Sequence, residues 1–215
     1  MDQQEARHLY GVLSQARLPE YEAFCAGDRV AALRLFCWNT QVAAAFYGPL
    51  QHLELALRSV LDQRMSRLFD REDWWEHPQA DLHYGAQAKI REAVHQLGRQ
   101  GLRSTPREVV AELPFGFWVS LVGRGNNYDQ RLWRASLYRA FPGYRGGRHA
   151  LHRRLDFLRV LRNKIAHHAP IHHRHLEADH EAIIMMLGCI DEPLARLVAR
   201  YSPVPAVVAV RPGLG

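Results

Sequence analysis

Lysine is nearly absent from this chain: of 28 lysine and arginine residues only Lys89 and Lys164 are lysine, so the fixed positive charge is almost all guanidinium. Arginine stays charged at any working pH and offers a planar fork of donors that fits phosphate or carboxylate oxygens. Cysteine is scarce too. Cys25, Cys37 and Cys189 lie far apart with no Cys-x-x-Cys pair, which argues against a disulfide framework and fits reduced, partly buried thiols in the cytoplasm. Although 47% of the residues are hydrophobic, no run is long enough to span a bilayer. The polar start Met1-Asp2-Gln3-Gln4-Glu5 lacks the apolar stretch of a signal peptide, so a cytoplasmic protein without membrane association is expected. Also missing is a Walker loop or a dinucleotide fingerprint. Gly123-Arg124-Gly125-Asn126-Asn127 has amides that could touch phosphate, but its pattern reads as a plain connection.

What is present is enough apolar residue for one core in 215 residues, and a formal net charge of +6 that favours an anionic partner, nucleic acid ahead of a membrane. The periodicity is helical. A short helix over residues 2 to 17 precedes a second over Tyr21 to Cys25, and Gly27-Asp28 supplies a turn and cap. A buried helix follows from Arg29 to Tyr47. Gly48-Pro49 is expected to break or kink it before a helix running to about Phe69. Asp70 to Leu82 reads as a loop in which Trp74 and Trp75 plug a gap between helices, stacking on RNA bases being the less favoured role. Tyr84 to Arg99 is amphipathic. Thr105-Pro106-Arg107-Glu108 carries helix-start chemistry, and Leu113 to Val122, strand-like in composition but without a partner strand, reads as a short buried helix. Asp129 to Ala140 is expected to be helical, with a long helix from near His149 and a last one over about Leu176 to Tyr201. The expected architecture is all-α: a single helical bundle with a partly irregular middle over residues 1–202, followed by a flexible tail over residues 203–215.

The stretch Leu158 to Ile171 concentrates chemistry. Leu158, Leu161 and Ile165 recur at helical spacing and are expected to face the core, while Asn163 and His167, four apart, share another face that the long Arg162 side chain can reach. Pro170 ends the helix, which places His167 and His168 at a helix terminus, where unpaired carbonyls favour an imidazolium. Upstream, Glu54 and Arg58 are four apart on one helix. They are read either as a surface ion pair or as part of the site, Glu54 orienting Arg162.

The string Arg162-Asn163-Lys164-Ile165-Ala166-His167-His168, followed by Pro170-Ile171, resembles the arginine, four-to-six residues, histidine motif of the HEPN superfamily and, more narrowly, that of Abi-like (abortive infection) proteins. It departs from the family at Ala169, where an acidic residue is frequent. Trp38-Asn39, Leu53 to Arg58, Phe115-Gly116-Phe117-Trp118, Leu132-Trp133 and Phe141-Pro142 also resemble the family, over roughly residues 20 to 190. The resemblance implies a HEPN-like bundle and a metal-independent endoribonuclease acting in phage defence or as a toxin. In it Arg162 and His167 would be catalytic, with Asn163, His168, Glu54 and Arg58 in support. It implies RNA as substrate, a homodimer that brings two motifs together, and regulation by an antitoxin or a phage-derived trigger.

The chemistry suits these residue types. Cleavage without a metal needs a base for the ribose 2′-hydroxyl, an acid for the leaving oxygen and positive charge for the phosphorane; histidine serves the first two and arginine the third. No cofactor is expected. His167, His168, His172, His173, His175 and His180 crowd fourteen residues, yet no zinc-binding spacing completes a four-ligand set, so no metal is expected either. Three classes remain open from the residues alone: the endoribonuclease, a non-catalytic RNA-binding or protein-interaction module, and a metalloenzyme.

Overall fold

In the computed structural model, which describes residues 3–13 and 17–213, the fold is all-α, with no strand among those residues. Helix α1 spans Gln3–Val12; the expected continuation through residues 14–16 lies outside the described residues. After α2 (Leu18–Phe24), Asp28 caps the next helix by accepting from Val30 N–H at 2.8 Å and Ala31 N–H at 3.1 Å.

That helix, α3 (Arg29–Phe69), runs 41 residues through Pro49, so of the break or kink expected at Gly48-Pro49 the break does not occur. Proline removes one donor from the ladder, but apolar side chains on both sides of it hold the helix together: Val42 and Phe46 before, Leu53 and Leu57 after, are fully buried. Helices α1, α2, α6, α7, α8 and α10 all pack on α3, so it is the spine of the molecule (α4 to α10 being Tyr84–Arg99, Pro106–Glu112, Phe115–Leu121, Arg148–Ala166, Leu176–Ile190, Glu192–Tyr201 and Val204–Ala209).

The middle is partly irregular, as expected, but Asp129 to Ala140 is not the single helix its residues suggest. Asp129–Trp133 forms a wide π-type turn and Leu137–Ala140 a 3₁₀ turn. Arg148 ties the start of this stretch to the end of α6, its guanidinium pairing with Asp129 at 3.0 Å and donating to the Val122 and Gly123 carbonyls. Trp74 is fully buried with its indole N–H donating to Asp62 at 2.8 Å, as a plug between helices should be.

The last long helix is broken into α8 and α9 by Asp191, whose carboxylate caps α9 through Leu194 N–H at 2.8 Å, with Pro193 in the first turn. Residues 203–213 are not a frayed tail. Helix α10 buries Val204 and Val208, the Trp38 indole N–H donates to the Val207 carbonyl at 2.9 Å, and Arg211 lies over the Trp38 and Phe24 rings. No helix of the described residues is long and apolar enough to cross a membrane.

Candidate functional site

Leu151, Leu155, Leu158 and Leu161 seat α7 with no exposed surface, whereas Ile165, the next member of the stripe, is half-buried at the surface. Between this end of α7 and the middle of α3 lies an open hollow of about 270 Å³, lined on the α3 side by Leu50, Glu54, Leu55 and Arg58 and on the α7 side by Arg162, Ile165 and Ala166. Glu54 stands between two guanidinium groups. One carboxylate oxygen is 3.6 Å from Arg58 Nη2, and the other accepts from Arg162 Nε at 3.3 Å. The carboxylate is mostly shielded, with its side chain 15% exposed, while Arg162 at 39% keeps a solvent-facing edge. Arg58 Nε is buried without a hydrogen-bond partner, so this corner offers a donor that nothing in the described chain matches.

The helix end beyond the hollow is closed by a Schellman motif. His168 N–H donates to Ile165 O at 3.1 Å and Ala169 N–H to Lys164 O at 2.8 Å, with His168 in the left-handed conformation at φ 53°. His167 N–H donates to Asn163 O at 3.0 Å. Of the carbonyls expected to be unpaired at this helix end, those of Asn163, Lys164 and Ile165 therefore have partners. Both imidazoles are exposed, and Asn163 is half-buried. The fold thus brings Arg162, Glu54 and Arg58 together, and leaves Asn163, His167 and His168 outside the hollow's lining, with His167 adjoining its Ala166 edge.

The loop after the motif is fixed by Asn39, a buried side chain on α3 whose amide oxygen accepts from Ile171 N–H at 2.8 Å and His172 N–H at 3.0 Å. Sequence reasoning placed Asn39 only in a resemblance. The signal was there, a lone amide in an otherwise apolar helix face. Tyr47 and Gln51, which also line the hollow, carried no signal.

The histidine-rich stretch is dispersed by folding. His172 is buried against Tyr21, with ring centroids 4.7 Å apart, and its Nδ1 has no partner; burial, with His173 and Arg211 nearby, lowers its pKa to about 4. His180 packs on Phe46 and burial lowers its pKa as well. Arg174, which also stands at motif spacing from a histidine, is committed to a bidentate pair with buried Asp179 at 2.6 and 2.8 Å. Among the described residues no group of three or more His, Cys, Asp or Glu is arranged to hold a metal ion. The three cysteines are free, and burial raises the pKa of Cys25 and Cys189.

Comparison with protein-family models, curated proteins and solved structures finds no match to this chain.

Proposed function

We propose that this chain is a metal-independent endoribonuclease of the Abi-like HEPN type, acting in phage defence or as a toxin, with Arg162 and His167 as its catalytic pair. The observation that carries this reading is the Arg162 guanidinium held by Glu54 at the mouth of an open hollow, next to a rigid helix end that presents His167. The contact to Glu54 uses Nε, so the terminal nitrogens of Arg162 can bind two phosphoryl oxygens. In the proposed step an imidazole takes the 2′-hydroxyl proton and the 2′-oxygen bonds to phosphorus. The bond to the 5′-oxygen breaks, and an imidazolium protonates that oxygen. The products are a 2′,3′-cyclic phosphate and a 5′-hydroxyl.

Two acid/base groups are needed, and a second copy related by a two-fold axis near the α7 end would supply the other His167. Tyr47 and Leu55, 66% and 47% exposed at the hollow, are apolar surface that such a copy would cover. RNA incubated with the protein in chelator should yield fragments with those two end groups; intact RNA, or 3′-hydroxyl ends, would count against the reading.

One observation favours a second reading, a non-catalytic RNA-binding or protein-interaction module: no histidine lines the hollow, and Leu50, Leu55 and Ile165 make much of its wall. Binding of RNA with no product under the same conditions would favour it.

A further inference from the structure

At the opposite end of α7 a pocket of about 330 Å³ lies between the start of α4, the loop after α6 and His152. Its charged and titratable lining residues are His83, Lys89, Arg124, Tyr128 and His152, without a carboxylate. In this chain a lysine is itself unusual, and Lys89 is one of two. Among the described residues the side chains of Lys89 and Arg124 make no hydrogen bond or ion pair, unlike the neighbouring Arg131 and Arg148, which are tied to Asp81 and Asp129.

The backbone adds to this charge. The 16-residue helix α4 begins at the pocket with Gly85 and Ala86 in its wall, and the amino end of a helix carries partial positive charge. His83 caps it, its Nδ1 accepting from Gly85 N–H at 3.3 Å, and the buried Tyr128 oxygen fixes the entry by accepting from His83 N–H at 2.7 Å. The loop is shaped for close approach. A Cβ on Gly123 would stand 3.0 Å from His152 Nε2, so the absence of a side chain lets the imidazole sit against the loop backbone. Burial lowers the His152 pKa, Arg148, His149 and Arg159 push the same way and Asp156 opposes, which leaves Lys89 and Arg124 as the fixed charges.

We propose that this pocket binds a phosphate monoester, with Lys89 and Arg124 pairing its oxygens, the α4 terminus facing its charge and His152 hydrogen-bonded to it. Two unpaired cations and a helix terminus favour a dianion over the single charge of a backbone phosphodiester. The phosphate could belong to a free nucleotide or to an RNA 5′ end. His152 and Arg162 lie ten residues apart on α7, about 15 Å along its axis, so the site is distinct from the hollow and does not depend on the nuclease reading.

Calorimetric titration of the full chain with inorganic phosphate, adenosine 5′-monophosphate, and oligoribonucleotides bearing a 5′-phosphate or a 5′-hydroxyl tests this. Saturable binding of inorganic phosphate and of the 5′-phosphorylated ligands is expected, weakened at least about tenfold in Lys89→Ala and in Arg124→Ala, nearly kept in Lys89→Arg, and unchanged in Arg103→Ala, an exposed arginine elsewhere. Tighter binding of the mononucleotide than of the 5′-phosphorylated RNA identifies a free nucleotide as the source, and the reverse identifies an RNA end; both support the site. Equal affinity for 5′-phosphate and 5′-hydroxyl RNA with no binding of inorganic phosphate, or full affinity in the Lys89→Ala, Arg124→Ala double variant with circular dichroism unchanged, would overturn it.

Discussion

Asn39 and Glu54 sit fifteen residues apart on one helix and do different work. Asn39 satisfies two buried backbone donors, so Asn39→Leu, the same size without an acceptor, should cost about 3 kcal/mol in urea unfolding, while Asn39→Asp retains the acceptor and should cost less. Equal, small losses for both would show that the loop does not need the amide. Glu54 instead bridges Arg58 and Arg162 as a mostly shielded carboxylate, so Glu54→Gln, which keeps the size and one acceptor, should cost about 1–3 kcal/mol in urea unfolding. On the proposed function its effect should also appear in RNA turnover, as a lower kcat with little change in KM, the carboxylate acting through the arginine it holds. The Arg162–Glu54 contact joins residues 108 apart, which no local pattern can reveal; the residues alone leave open whether Glu54 forms a surface pair with Arg58 or orients Arg162, and the carboxylate contacts both.

Elements were legible where local chemistry decides their limits. The Asp28 cap, the Thr105–Glu108 capping box and the Tyr84–Arg99 period all formed as the residues indicate. Tertiary burial overrode propensity at Pro49. At Asp191-Glu192-Pro193 the opposite happened: a cap and an N-terminal proline were in plain view, but the strong apolar run of α8 masked the boundary. The end of α7 carries a further local signature, the left-handed His168 in a position that favours glycine. His168→Gly should therefore stabilise the protein by about 0.5–1 kcal/mol in urea unfolding, the relief of the left-handed strain exceeding glycine's added chain entropy. If RNA cleavage survives that change, the imidazole of His168 has no direct part in it; loss of cleavage in a more stable variant would make His168 the second acid/base group.

For the molecule as a whole, buried histidine makes stability depend on pH. His172 has a native pKa of about 4 against about 6.5 in the unfolded chain, so between those values the unfolded state binds a proton that the native state refuses. The contribution of this group is present above pH 6.5 and is lost as pH drops toward 4, about 2 kcal/mol by pH 5; His152, His173 and His180 shift in the same direction. His172→Phe, which keeps a ring against Tyr21 and Phe24, should flatten the slope of unfolding midpoint against pH. On the proposed function, RNA binding by this chain of formal net charge +6 should weaken steeply with salt. Arg162 and His167 lie off the fully buried leucine stripe, so the folded state should tolerate losing either side chain and the chemistry should not. The most direct measurement is therefore the single-turnover rate of RNA cleavage in chelator for the parent, Arg162→Ala and His167→Ala, each first shown by circular dichroism to be folded. The parent should cleave at a rate indifferent to chelator and both variants should fall by about a hundredfold or more; cleavage that persists in His167→Ala, or that vanishes with chelator and returns with zinc or magnesium, would contradict the account.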